Sequence, residues 1–131
     1  TLVKKLINFS SVGGGLQAFP HFRLSDGMSK AAVSFLTKQL AAEHVHTNID
    51  VFAIAPGATN TGMFQASTLN SMSEIEKKDF INKLPKQRLI EPNEIADLVI
   101  FLAAQGSTYM HGAIIDASMG LGSRPGLISE M

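Results

Sequence analysis

The chain has 131 residues, 45% of them hydrophobic, with 11 Lys+Arg balanced by 11 Asp+Glu and no Cys; this fits one soluble domain or part of one and excludes a disulfide framework or a thiolate site. A formal net charge of +0 with no Lys/Arg-rich run leaves no field to attract a phosphate backbone, so no nucleic-acid partner is expected. No apolar run reaches the roughly 18 residues of a membrane span and Thr1 opens no signal-peptide pattern, so the expectation is a cytoplasmic chain without a membrane partner.

The first predicted element is a strand. Leu6-Ile7-Asn8-Phe9 is a short apolar run, closed by Ser10-Ser11 and the flexible stretch Gly13-Gly14-Gly15, which reads as a loop. From about Asp26 to Glu43, Met28, Ala32, Phe35/Leu36 and Leu40 recur at helical spacing, with Ala31, Ala41 and Ala42 favouring helix. This predicts a long amphipathic helix whose Met-containing stripe serves as core and subunit contact. After the polar gap His44 to Asn48, the run from Ile49 to Ala55 is apolar on both alternating faces from Val51 onward, and Pro56-Gly57 ends it. Continuous apolarity marks a strand covered on both sides, as in a parallel sheet. Strand, helix and strand form one βαβ unit with a right-handed crossover.

Ala58 to Leu84 is long and mostly polar, with a short helix starting near Ser73, and such a segment reads as a lid or binding loop. A second helix opens at Glu91-Pro92 and carries Ile95, Leu98, Val99 and Leu102 as an apolar stripe. A third strand, Ala113 to Asp116, follows a loop from Gln105 to Gly112, and the tail from Gly120 through Pro125 reads as loop. No repeat or linker calls for two domains.

In a parallel sheet the segments that follow the strands emerge along one edge, where open α/β sheets bind ligands. Ser10-Ser11 and Pro56 to Met63 therefore share a rim. The long helix begins there too, which brings Asp26 and, one turn on, Lys30 to the same place.

These residues also carry a family likeness. Asn8-Phe9-Ser10-Ser11-Val12-Gly13, Met28 to Val33, Ala55 to Met63, Glu91 to Ala96 and the final Gly112 to Asp116 strand, in that order, resemble the second half of a short-chain dehydrogenase/reductase domain. The resemblance runs from about residue 5 to 118. It implies an α/β fold, a Rossmann-like doubly wound parallel sheet of which the last three strands and flanking helices are present. Residues 1–131 are then the C-terminal part of a single domain. That family's glycine-rich Thr-Gly-x-x-x-Gly-x-Gly turn and its Asn-Asn-Ala-Gly segment have no counterpart here. The expectation is a longer parent protein, and a first strand whose apolar edge lacks its neighbour. The resemblance further implies NAD or NADP as cofactor, hydride transfer between nicotinamide and a carbonyl or alcohol carbon of a small-molecule substrate, and a homodimer or homotetramer.

The same resemblance assigns roles to single residues. Ser11 matches the serine that hydrogen-bonds the substrate carbonyl, with Ser10 structural. Lys30 matches the lysine that bonds the nicotinamide ribose and tunes the catalytic tyrosine. Pro56, Gly57, Thr59 and Thr61 resemble the segment that clasps the nicotinamide amide and phosphates. The departure is Asp26, which occupies the slot of the proton-donating tyrosine four residues before Lys30. A phenol with a reference pKa of about 10 can be tuned to exchange a proton near neutrality, whereas a carboxyl at about 3.9 is ionised there, and its side chain is shorter. Read without the family, Asp26 is an N-terminal acid that favours the helix dipole, or an i,i+4 ion-pair partner of Lys30. The alternative function is a non-redox or catalytically impaired scaffold.

Ser11 and Asp26 are 15 residues apart, longer than the resembled pattern, and the triple glycine is expected to absorb the insertion. Tyr109, the only tyrosine, precedes the last strand and is no motif substitute. His21 and Phe22 are candidates to line a substrate pocket. His44 and His46 read as solvated, and no metal site is expected.

Overall fold

Three parallel strands, β1 (Lys4–Phe9), β2 (Ile49–Pro56) and β3 (Ile114–Ala117), lie side by side in that order in the computed structural model, which describes residues 2–124. Lys4 pairs with Ile49 and Phe9 with Ile54, while Ala53 pairs with Ile114 and Pro56 with Ala117. The central strand is buried from Asp50 to Ala55, as its two-sided apolarity predicts.

Helices cover both faces. Adjacent residues of a strand point to opposite sides: Ile7 packs into the cluster of Phe52, Ile54 and Leu102, whereas the Asn8 amide donates to Thr37 Oγ1 at 3.1 Å. Leu102 lies on α5 (Pro92–Ala103) and Thr37 on α2 (Leu24–Glu43), so the two helices sandwich the sheet. Phe52, Ile54 and Leu102 are fully buried, each contributing about 1.5–3 kcal/mol of apolar transfer. α5 places its predicted stripe, Ile95, Leu98, Val99 and Leu102, on that cluster. A capping box between Glu91 and Glu94 and Pro92 in the first turn fix its start.

Four sequence expectations change. α2 does not bury its apolar stripe: Met28 and Phe35 are 63% and 69% exposed, and the sheet-facing positions are Ser34, Thr37 and Ala41. Small side chains let the helix approach the sheet closely, and the hydroxyls find partners there. The segment from Ala58 to Leu84 is largely helical: α3 (Gly62–Phe64), a π-turn (Gln65–Leu69) and α4 (Glu74–Lys83), the last capped by Ser73. Its scattered apolar residues close on one another, with Leu69, Phe80 and Leu84 forming a separate small core. The loop from Gln105 contains a 3-10 helix (Gln105–Met110).

The triple glycine is the fourth change. It ends a short helical turn, α1 (Val12–Gly15), and is tightly packed. Gly14 has φ +83 and a Cβ there would run into the Gly27 backbone, while a Cβ on Gly15 would collide with Ser10 Oγ. Glycine is required because the turn presses on the first coil of α2.

At the opposite end of the sheet Lys5 and Asp50 form a buried ion pair, Nζ to Oδ2 at 2.7 Å. Ser107 Oγ accepts from Lys5 Nζ at 3.0 Å, and Thr108 Oγ1 donates to Asp50 Oδ2 at 2.7 Å. Burial raises the Asp50 carboxyl, but the Lys5 and Thr108 hydrogen bonds together with the charges of Lys5 and His111 outweigh it and hold the group below its ordinary value. His111 accepts from the Val51 amide and donates to the Ala41 carbonyl, tying β2 to α2. β1 is an edge strand among the described residues, with Leu6 and Phe9 40% and 48% exposed. The part of the tail expectation at Pro125 and beyond lies outside the described residues.

Candidate active-site rim

The parallel register brings the ends of β1 and β2 to one edge. The Ser10 amide donates to the Ile54 carbonyl at 2.8 Å, continuing the ladder one residue past β1. Ser10 is buried and its hydroxyl donates to the Lys30 carbonyl at 2.9 Å, so the first turns of α2 are joined to the end of the sheet. Ser11 follows, partly exposed, as the N-cap of α1, and its Oγ accepts from the Gly13 amide at 3.3 Å. Ser11, Lys30 and the Pro56-Gly57 bend thus lie at the C-terminal edge of the sheet.

Lys30 is partly exposed, and among the described residues its ammonium makes no hydrogen bond or ion pair. Its donors are available. Asp26 sits in the first turn of α2 and is exposed; its carboxylate pairs with Arg23 Nε at 3.9 Å and not with Lys30. The i,i+4 ion pair is therefore replaced by an i,i+3 pair with Arg23 at the N-cap. An exposed pair of this geometry contributes at most about 1 kcal/mol.

Pro56 ends β2, and Gly57 packs against Ser118, just past β3. Thr59 Oγ1 donates to the Gly57 carbonyl at 3.0 Å, holding the bend. The Asn60 amide donates to the Ile90 carbonyl and the Ile90 amide to the Ala58 carbonyl, at 2.8 and 2.9 Å, so both stems of the long segment are stitched together. Thr61 Oγ1 caps α3 by accepting from the Phe64 amide at 3.1 Å, which leaves its own proton free to donate.

Two of these groups fit the nicotinamide half of a dinucleotide on their own chemistry: a cation without a partner among the described residues, Lys30, and a hydroxyl with a spare proton, Thr61. The glycine-rich pyrophosphate turn is not among the described residues. The remaining candidates separate. Phe22 lines a groove of about 460 Å³ with Leu16, Phe19, Leu24 and Met28; none of His21, Ser11, Asp26 or Lys30 lines it. Leu24 and Met28 stand on a different flank of α2 from Asp26 and Lys30, so the groove and the rim are distinct. His21 is exposed, His44 Nδ1 bonds Thr47 Oγ1, His46 is exposed, and Tyr109 is 78% exposed and away from the rim. No group of three or more His, Cys, Asp or Glu able to hold a metal occurs among the described residues.

Sequence reasoning missed Ser34, whose hydroxyl lies 2.8 Å from Ser10 Oγ, and Arg23, the partner of Asp26. Ser34 falls four residues after Lys30 on a helix and so shares its flank. That spacing was a usable signal.

Among known proteins, the chain matches the family model described as enoyl-(acyl carrier protein) reductase over residues 4–122. It is 35% identical over 109 residues to 2-keto-3-deoxy-L-fuconate dehydrogenase of Xanthomonas campestris, covering 82% of this chain and 36% of that protein. A solved variant of actinorhodin polyketide ketoreductase with NADPH superposes with a TM-score of 0.82 at 28% identity, over 92% of this chain and 48% of that one. A 3-oxoacyl-[acyl-carrier protein] reductase from Brucella melitensis with bound NAD does so with a TM-score of 0.70 at 29% identity, over 88% and 40%. The chain therefore spans between a third and a half of the length of these proteins. No helix among the described residues is long and apolar enough to cross a membrane. With its ordered motifs, its three-stranded parallel sheet and a matched span that takes in nearly all of the described residues, the chain belongs to the short-chain dehydrogenase/reductase family.

Proposed function

We propose that residues 1–131 are the C-terminal part of a single Rossmann-like domain of a cytoplasmic NAD(P)-dependent oxidoreductase that exchanges a hydride with a carbonyl or alcohol carbon. The observation that supports the reading is the tie from Ser10 to the Lys30 carbonyl, which joins the Lys30 turn of α2 to the end of β1 where Ser11 follows. Bound there, the nicotinamide supplies or accepts the hydride. Lys30 holds its ribose, and Pro56, Gly57, Thr59 and Thr61 hold its amide and phosphate side. The Ser11 hydroxyl donates to the substrate oxygen and orients the carbonyl face. The proton for the alkoxide comes from water or from another donor relayed along the rim, because the Asp26 carboxylate is solvated and paired with Arg23. The exposed Leu24, Met28 and Phe35 of α2 are the contact for a second copy in a homodimer or homotetramer.

The second reading is a non-redox or catalytically impaired scaffold, and its ground is Asp26 in the slot of the resembled tyrosine. The test is the full-length protein titrated with NADPH and NADH and assayed for carbonyl reduction, beside Asp26→Asn and Asp26→Tyr variants. Turnover in the parent that Asp26→Asn leaves intact supports the oxidoreductase with a water-borne proton, and turnover that Asp26→Asn abolishes assigns the carboxylate a chemical role. Binding without turnover, with turnover gained in Asp26→Tyr, establishes the scaffold. No nicotinamide binding in the parent removes the oxidoreductase reading.

A further inference from the structure

The rim contains a polar device that the proposed reaction does not itself use. Ser10 and Ser34 are buried, 4% and 8% exposed, and their hydroxyl oxygens are 2.8 Å apart. Ser10 Oγ donates to the Lys30 carbonyl at 2.9 Å, and Ser34 Oγ donates to the Gly15 carbonyl at 3.1 Å. The two hydroxyl protons thus serve three contacts, with the Lys30 carbonyl, with the Gly15 carbonyl and between the two oxygens, so two of the three are hydrogen bonds at any moment. Whichever way the shared contact is oriented, each proton finds an acceptor, and among the described residues no buried side-chain polar atom lacks a partner.

Four pieces of backbone meet at this pair. The Ser10 amide is bound to the Ile54 carbonyl at the end of β2, its hydroxyl reaches α2, and Ser34 returns from α2 to the glycine turn that follows Ser11. Gly15 is glycine at this point because a Cβ would displace Ser10 Oγ. Neither hydroxyl lies in the groove beside Phe22, and neither faces solvent. An apolar pair of similar size would set α2 on the sheet by shape alone, leaving neighbouring axial positions closer in energy. Directional hydrogen bonds to Lys30 and to the turn after Ser11 select one.

We infer that the Ser10–Ser34 hydroxyl pair is a positioning device that sets the Lys30 ammonium against Ser11 by fixing the axial position of α2 on the end of the sheet. Both serines are positioning residues, since neither reaches a ligand. The inference rests on the reading that Lys30 binds a nicotinamide nucleotide. A displacement on the order of 1 Å in a binding group costs up to about a hundredfold in a positioned reaction, so loss of the pair acts on Lys30 far more than on the fold as a whole.

The experiment is a double-mutant cycle in the full-length protein, read by the fluorescence of NADPH and NADH and by thermal melting. Ser10→Ala is expected to weaken the tighter-binding nucleotide by roughly tenfold, and Lys30→Ala by at least as much. The double variant is expected to bind no more weakly than Lys30→Ala alone, since Ser10 acts through Lys30. Ser34→Thr, which keeps the hydroxyl, is expected to bind like the parent where Ser34→Ala does not. A Ser10→Ala variant that melts lower yet binds the nucleotide as the parent does overturns the inference, and so does a loss that adds in full to that of Lys30→Ala. A parent that binds neither nucleotide overturns the underlying reading and this inference together, whereas binding in the parent that Ser10→Ala leaves unchanged overturns this inference alone.

Discussion

α2 and α5 flank the same sheet and are held to it by opposite means. α5 turns Ile95, Leu98, Val99 and Leu102 inward onto Phe52 and Ile54, so its large apolar side chains are spent on the core. α2 turns Ser34, Thr37 and Ala41 inward and leaves Leu24, Met28 and Phe35 outward. One helix is fastened by area, the other by hydrogen bonds to Asn8, Ser10 and Gly15. The difference teaches where position matters. Apolar burial is non-directional and tolerates small slides, so it serves a helix that only closes the core. Directional bonds serve the helix whose first turns, with Asp26 and Lys30, are joined to the end of the sheet at Ser10.

The comparison is sharpened first on the α5 face, where the buried Lys5–Asp50 pair sits at the foot of the core. Lys5→Met leaves Asp50 buried without its counter-ion and is expected to destabilise by about 3–5 kcal/mol in urea unfolding. The same pair sets a pH dependence. Because the folded Asp50 carboxyl titrates below its ordinary value, its contribution is complete above the unfolded pKa of about 3.9 and is lost as pH falls through the folded one. The gap in urea midpoint between the parent and Asp50→Asn is therefore expected to be widest near neutrality and to shrink below pH of about 4. A gap that holds constant into acid removes that assignment.

Next in size, Leu102→Ala opens a cavity against Phe52 and Ile54 and is expected to cost about 2–4 kcal/mol. On the α2 face, Thr37→Val keeps the shape but leaves the Asn8 amide without its acceptor, an expected loss of about 1–2 kcal/mol. Equal costs for Leu102→Ala and a Ser34→Ala, Thr37→Ala pair together would erase the contrast between the two helices. Smallest is Phe35→Ser, which is expected to change unfolding by less than about 0.5 kcal/mol in a monomer while lowering the mass observed by light scattering. Unchanged mass in a protein that is oligomeric beforehand sets the subunit contact elsewhere than on α2.

Much of this architecture was legible in the sequence, and the failures have physical causes. The strands were found because an uninterrupted run such as Val51 to Ala55 fits only a strand covered on both sides. α5 was found because its stripe and Pro92 agree with one another. α2 was located but turned the wrong way. Periodicity reports which residues share a flank and not which flank faces the sheet, and the outward flank is the more apolar one. In the segment after Pro56 the helix that starts at Ser73 is legible, but α3 and the π-turn are not, because a short unit closing on its own small core, Leu69, Phe80 and Leu84, has no long-range pattern to betray it. The triple glycine was read as slack because composition does not distinguish a free loop from a turn pressed against Gly27 and Ser10. At the rim, the Ser11, Lys30 and Pro56 convergence followed from strand direction alone. The route taken by Asp26 to Arg23 did not, since two cations lie within one turn of it on the same helix and spacing alone does not choose between them.

The most direct measurement is a crystal structure of the full-length protein soaked with NADPH or NADH. The account predicts the nicotinamide ribose within hydrogen-bond distance of Lys30 Nζ, with the Pro56 to Thr61 bend against the amide and phosphates. A nucleotide bound with its nicotinamide end elsewhere, and Lys30 touching none of it, would contradict the account at its centre.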